Sequence, residues 1–272
     1  MGSFLKPQSI DLIVSGPPYF NHVVYGKEKN QLSALSNKES FMESLRAIWH
    51  ACSIVQKPGG ILALWVHDTV QIRNETQWEY QALHSDIIRS VPVPYHLKSI
   101  GIWDRYLNRN RGALHTHPEP LGSRFQYILL FQNGEQGAPH IETSLRAWYW
   151  SPVWCKKTNN KLLGFKTLYR IAFKIIAPFL PIHKQPVREM SLRSTVNDEH
   201  SFTEYTTQCP PEIAERLIND FSNPGDVILD PFAGSGTTLD VAQKLYRKAI
   251  GIDIGTMAVK VARKRLSKVT FL

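Results

Sequence analysis

Cysteine is scarce in this sequence: three residues, Cys52, Cys155 and Cys209, lie far apart in a chain of 272. An odd number without paired spacing excludes a disulfide framework and a cysteine-ligated zinc site, and fits a reducing compartment. No acid or cysteine completes a plausible ligand set with His115, His117 and His140, so no metal is expected. Long apolar runs are missing as well. None approaches the ~20 residues of a membrane span, and Met1-Gly2-Ser3-Phe4 lacks the charged-then-apolar order of a secretory signal. Lys6 stands where a myristoylation signal has Ser or Thr. We therefore expect a cytoplasmic protein with no membrane partner. No internal repeat or low-complexity tract is evident. Apolar residues are in ordinary supply, at 43%, enough to fill the core of one large domain.

Acids are nearly absent from one block. Between Arg146 and Arg193 ten lysines and arginines face the single acid Glu189, and the rest of the chain is balanced, so the net charge of +9 resides there. Lys156, Lys157, Lys161, Lys166 and Arg170 are interleaved with Trp148, Tyr149, Trp150, Trp154 and Tyr169. That composition suits a surface contacting a phosphate backbone. A solvated helix face has the same composition.

Short apolar runs rich in β-branched residues predict strands at Asp11–Ser15, Ile61–His67, Leu97–Trp103, Phe125–Phe131, Val227–Asp230, Ala249–Ile254 and Val269–Leu272. Helical patterns fall between them at Lys38–Val55, Thr76–Ser90, Pro211–Phe221, Thr237–Tyr246 and Thr256–Ser267. Lys57-Pro58-Gly59-Gly60 reads as a helix stop and turn. The alternation predicts an α/β sheet with helices on both faces. From about Gly134 to Thr206 this rhythm stops, which predicts three parts: residues 1–134, an inserted basic region 135–206, and 207–272. In the insertion, 166–179 has basic and apolar faces, the pattern of a packed or a membrane-surface helix.

The most informative stretch is GDVILDPFAGSGTTLDVAQKLYRKAIGIDI, Gly225 to Ile254. A strand ends in Asp230, a glycine-rich turn follows, a helix opens near Thr237, and a second strand ends in Asp253. Gly234 and Gly236 omit side chains where a ligand must approach the backbone, and an acid at the second strand end suits two ribose hydroxyls. An ordinary strand-to-helix turn has the same spacing. The residues DPFAGSGTT, however, resemble the S-adenosylmethionine-binding motif of DNA amino-methyltransferases, and GIDI resembles their ribose-binding strand end. Upstream, TQCPPEIAERLINDFSNPGD is similar to the segment preceding that motif, with Cys209 where the family usually has Lys. The resemblance implies that Gln208, Pro210, Asp230, Phe232, Ala233, Gly234, Ser235, Gly236, Thr237 and Asp253 hold the cofactor. Phe232 either flanks its adenine or packs under the turn.

Near the other end, DLIVSGPPY, Asp11 to Tyr19, resembles the family's catalytic turn, Asp/Asn/Ser-Pro-Pro-Tyr at a strand end. Proline rings fix the backbone so that carbonyls face a pocket, and the tyrosine offers a face to a base turned out of the duplex. Pro-Pro-Tyr alone also suits a proline-rich ligand, but those lie in exposed tails, and Leu12-Ile13-Val14 calls for burial. The catalytic turn precedes the cofactor turn, with a basic insertion between, the arrangement of the β class of these enzymes. RFQYILLFQNG resembles a late strand of the same family. The resemblance implies a circularly permuted Rossmann-like sheet, with Val269–Leu272 as its third strand and Asp11–Ser15 as its fourth. It also implies catalytic roles for Ser15, Gly16, Pro17, Pro18 and Tyr19, double-stranded DNA as partner, and target recognition in the insertion. A cognate restriction endonuclease and a homodimer are compatible with it.

Gly16 departs from the pattern, standing where the family places the side chain that accepts a hydrogen bond from the amine. Three readings stay open: Ser15 reaches the amine, backbone carbonyls at Gly16 and Pro17 suffice at reduced rate, or the chain is inactive or altered. On the positioning reading Gly16→Ser keeps or raises activity. The Thr/Ser-Ser-Pro-Pro-Tyr variants favour cytosine N4 as target, with adenine N6 the alternative and a non-catalytic DNA-binding module the rival from outside enzymes. Methylation of a protein glutamine is disfavoured by the order of the motifs. Asp68 either lines the pocket or caps a helix, Arg105, Arg109 and Arg111 touch phosphates or are solvated, and Trp49, Trp65 and Trp103 are expected in the core.

Overall fold

The computed structural model describes residues 4–20, 28, 30–72, 78–104, 125–134 and 211–266. In chain order these form β1 (Ile10–Ser15), α1 (Lys38–Val55), β2 (Gln56–His67), β3 (Thr69–Ile72), β4 (Trp78–Gln81), α2 (Leu83–Ser90), β5 (Tyr95–Asp104) and β6 (Phe125–Asn133). Further along the chain come α3 (Pro211–Phe221), β7 (Val227–Asp230), α4 (Thr237–Lys244), β8 (Lys248–Gly251) and α5 (Thr256–Arg265). The predicted insertion, the predicted strand Val269–Leu272, and Gln208, Pro210, Lys156, Lys157, Lys161, Lys166 and Arg170 lie outside the described residues. So do Arg105, Arg109, Arg111 and the three histidines at 115, 117 and 140.

Six strands make one sheet in the order β5-β6-β2-β1-β7-β8. β1 runs parallel to β2 and β7, and β7 parallel to β8, whereas β6 runs antiparallel to both β2 and β5. The chain therefore enters the sheet at a central strand. From β1 it winds one way to β2, and from β7 the other way to β8. A sheet wound in both directions opens a crevice beyond the carboxyl ends of the strands where the winding reverses. Here that point lies between β1 and β7. This is the expected α/β architecture with helices on both faces.

Strand alternation explains why the apolar runs are continuous. Ile13, Leu62, Leu64 and Leu229 join one core with Phe41, Leu45 and Trp49 of α1. Leu12, Val14, Ala63 and Ile228 join the other with Ile213, Leu217 and Ile218 of α3. Phe41, Leu45 and Trp49 recur at helical spacing and are fully buried, each contributing about 1.5–3 kcal/mol by leaving water. The Trp49 indole N–H donates to Ser90 Oγ at 3.1 Å, so this large ring enters the core without an orphaned polar atom. Asn37 caps α1, its side chain accepting from Glu39 N at 2.8 Å.

Two local expectations change. The turn at 57–60 is part of β2, whose pairing with β1 jumps from Ile10–Gln56 to Leu12–Ile61 and takes up the extra residues as a bulge. The predicted helix from Thr76 shortens to α2, because Trp78–Gln81 pairs instead with Thr69–Ile72 as a hairpin. Among the described residues no helix is long and apolar enough to cross a membrane, and no cluster of three or more His, Cys, Asp or Glu has metal-ligand geometry.

Candidate active site

A cavity of about 540 Å³ opens at the β1/β7 reversal, within the size range of small-molecule and cofactor sites. Gly16, Pro17, Pro18 and Tyr19, which follow β1, line one side. Across it stand Asp230, Phe232, Ala233 and Gly234, followed by Ser235 and Thr237, with Asp253 beyond β8. Two turns far apart in the chain thus share one cavity. Register explains it: Leu12 and Ile13 pair with Ile228 and Leu229, so the turns leave adjacent parallel strands at the same edge.

The glycine-rich turn is held from several sides. Gly236 has φ +80° and begins α4, and a Cβ there would come within 2.9 Å of Ala262 Cβ on α5. Only glycine meets both conditions without strain. Asp253 Oδ2 accepts from Gly234 N and Oδ1 from Gly255 N, each at 2.8 Å. Burial pushes the Asp253 carboxyl above its ordinary pKa, opposed by those two N–H groups. Arg265 of α5 donates to the hydroxyls of both Ser235 and Thr237. Phe232 lies on the cavity wall and also meets Trp49 edge-on, with ring centroids 5.8 Å apart, so it packs under the turn while bordering the cavity.

Ser15 takes no part in the cavity wall. It is fully buried, and its hydroxyl donates to Asp230 Oδ1 at 2.6 Å, tying the two strand ends together. Asp230 also accepts from Phe232 N at 3.0 Å. Burial raises the Asp230 carboxyl to about 6, against the lowering effect of hydrogen bonds from Ser15, Thr238 and Phe232 N. Because Ser15 is fully buried and lies off the cavity wall, the reading in which its hydroxyl reaches an amine finds no support.

Gly16 is explained by its neighbour across β2. A Cβ at this position would fall 2.4 Å from Trp65 Cε2, 2.5 Å from Cζ2 and 2.7 Å from Nε1. The N–H edge of an indole fills the space that an acceptor side chain would need. Trp65 is partly buried: it packs against the second core, as expected, and also lines the cavity. Gly16→Ser, expected above to preserve activity, instead collides with a rigid ring.

His67, Gln126 and Glu28 were not anticipated and also line the cavity. Tyr19 OH hydrogen-bonds His67 Nδ1 at 2.6 Å, and the rings meet edge-on at 4.4 Å. Glu28 Oε1 accepts from Thr256 N at 2.9 Å and Oγ1 at 2.8 Å, capping α5 from the first half of the chain. Strand parity was the available signal: His67 ends β2 on the face of Trp65, whereas Asp68, singled out from sequence, turns away. Asp68 is fully buried, accepting from Tyr80 OH and from His84 N at 3.1 Å at the start of α2, a capping role.

Residues 10–264 match the family model described as DNA methylase, covering N6 and N4 amino-methyltransferases. The chain belongs to the DNA methylase family. It is 51% identical over 273 residues to the type II methyltransferase M2.DpnII of Streptococcus pneumoniae, covering 97% of this chain and 85% of that protein. Among solved structures, the cytosine-N4-specific PvuII DNA methyltransferase aligns with a TM-score of 0.60 at 14% identity, over 97% of this chain and 82% of the other. The M1.HpyAVI–SAM complex aligns with a TM-score of 0.55 at 18% identity, over 98% and 91%. These two share the Rossmann-like fold with this DNA methylase.

Proposed function

We propose that this DNA methylase transfers a methyl group from S-adenosylmethionine to the exocyclic amino group of a base in double-stranded DNA, within a restriction-modification setting. The observation that carries the reading is the single cavity joining the Gly16–Tyr19 turn to the Gly234 turn and Asp253. The residues present fit the cofactor: an acid for ribose hydroxyls at Asp253, an aromatic wall at Phe232, and backbone at Gly234 with no side chain in the way. Ser33, 2% exposed, adds a buried hydroxyl on the cavity wall with no hydrogen-bond partner.

S-adenosylmethionine supplies a sulfonium methyl, which bonds to the amine nitrogen as the carbon–sulfur electron pair stays on sulfur and the nitrogen then releases a proton. The chain's own part is positioning. Pro17 and Pro18 hold the backbone so that carbonyls at Gly16 and Pro17 accept from the amine, contacts that strengthen as charge develops on nitrogen. Tyr19, anchored through His67, holds a ring against the extruded base. Lys156, Lys157, Lys161, Lys166 and Arg170 contact DNA phosphates in this reading, and Gln208 and Pro210 border the cofactor.

The preference for cytosine N4 rests on the resemblance to Thr/Ser-Ser-Pro-Pro-Tyr variants, whose second serine position is Gly16 in this chain. The proposal therefore concerns the amine edge that cytosine N4 and adenine N6 share. Tritium transfer from labelled S-adenosylmethionine to mixed-sequence DNA tests it. Counts in DNA are expected, and modification-sensitive sequencing of plasmid from an expressing host then identifies the base and its context. DNA binding without transfer favours the non-catalytic reading.

A further inference from the structure

Among the described residues, four buried side-chain polar atoms have no hydrogen-bond partner: Ser33 Oγ, Trp65 Nε1, Asp86 Oδ2 and Gln126 Oε1. Asp86 Oδ2 is ion-paired with Lys38 at 2.5 Å. The other three all belong to residues lining the cavity. A buried polar atom without a partner costs about 1–3 kcal/mol, so three around one cavity mark a site completed by polar ligand groups.

Trp65 and Gln126 sit together at the catalytic turn. Across β2 and β6, Trp65 pairs with Ile128 and His67 with Gln126. Alternation then places Trp65, His67 and Gln126 on one face, with Trp65 and Gln126 as diagonal neighbours. The N–H edge of Trp65 lies over Gly16, and Tyr19 is held by His67 on the same face.

We infer that Trp65 and Gln126 form a donor–acceptor pair that reads the amino edge of the target base, an assignment that rests on the function proposed above. Gln126 Oε1 accepts from the exocyclic amine, supplying the acceptor that Gly16 lacks. Trp65 Nε1–H donates to the adjacent ring nitrogen, N3 of cytosine or N1 of adenine. Both amino bases present this donor beside this acceptor. Thymine does not, because its N3 carries a hydrogen that faces the indole hydrogen, and neither does guanine along its O6–N1 edge, where N1 carries a hydrogen. A glutamine amide can rotate to present either end, but an indole is a donor only. Trp65 therefore fixes the polarity of the pair, and Gly16 is the space its ring requires.

The test measures kcat/KM for methylation of a duplex carrying the sequenced target site, with the normal base or its ring-deaza analogue (3-deazacytosine or 1-deazaadenine). Trp65→Phe keeps an aromatic ring and removes the N–H. It is expected to lose roughly 10- to 100-fold on the normal base, as does the wild type on the analogue. Combining the two should cost nothing further. Gln126→Leu is expected to lose a similar factor while Gln126→Glu, which keeps an acceptor, retains most of the rate. S-adenosylmethionine affinity and circular dichroism should be unchanged in all three variants. Losses that multiply when Trp65→Phe meets the analogue, or wild-type rates in Gln126→Leu, overturn the assignment while leaving the proposed function intact. A wild-type chain that neither methylates nor binds DNA overturns the proposed function and this assignment with it.

Discussion

At the scale of single residues, the site depends on pairs in which each member explains the other. Gly16 is glycine because Trp65 fills its side-chain space, so Gly16→Ser is expected to lower both thermal stability and methyl transfer. Overpacking of this kind costs about 1–3 kcal/mol, and differential scanning fluorimetry alongside tritium transfer reads both effects. A wild-type melting temperature would show that the indole moves aside freely. Asp230 is explained by Ser15 and by burial. Its folded pKa of about 6 exceeds the ordinary 3.8, so the folded state holds this proton more tightly than the unfolded chain does. The stability it contributes is fully present below about pH 4 and is lost as pH rises through 6, on the order of 2–3 kcal/mol. Asp230→Asn removes that dependence, and urea unfolding between pH 4 and 7 should show a flatter profile for the variant. Equal slopes in the two proteins would place the titration elsewhere.

Among the elements, the glycine-rich turn and the helix it opens form the most constrained unit. Gly236 combines a left-handed backbone with contact against Ala262, and Ser235 and Thr237 are bridged to Arg265 of the same α5. Gly236→Ala is therefore expected to destabilise by about 1–3 kcal/mol through backbone strain and close contact. It should also weaken S-adenosylmethionine binding, measured by calorimetry, because the turn cannot keep its shape. Tight cofactor binding in that variant would mean that α5 yields to the new methyl group. The hairpin of β3 and β4 shows the opposite case. Trp78–Gln81 continues into α2 with a pattern compatible with helix, and it is pairing with Thr69–Ile72 that makes it a strand. Local propensity was a weaker determinant there than the partner strand.

For the whole molecule, the decisive feature is that β1 lies beside β7, more than 200 positions later in the sequence. Sheet, helices and the glycine-rich turn were legible because alternation, helical spacing and turn residues are short-range signals. Lys38–Val55 and Pro211–Phe221 match their predicted bounds for that reason. The net charge is concentrated between Arg146 and Arg193, which the proposed function sets against DNA. Replacing Lys156, Lys157 and Lys161 with glutamine should weaken DNA binding evenly across sequences and lower the slope of log K against log salt by up to ~0.9 per lost phosphate contact. Fluorescence anisotropy across a salt series measures this, and an unchanged slope would assign those lysines to solvent.

From sequence alone came the alternating α/β architecture, the two turns that border the cavity and the order in which they occur, because each is written in residues a few positions apart. Only the folded chain decided which side chains face the cavity. Ser15 meets Asp230 across 215 positions of sequence and is taken out of the site. Trp65 packs against the core and also forms the wall above Gly16, and Gln126 arrives beside it on an antiparallel strand. Such contacts follow from strand order and register, which are set by the packing of the entire sheet and have no local signature in the chain.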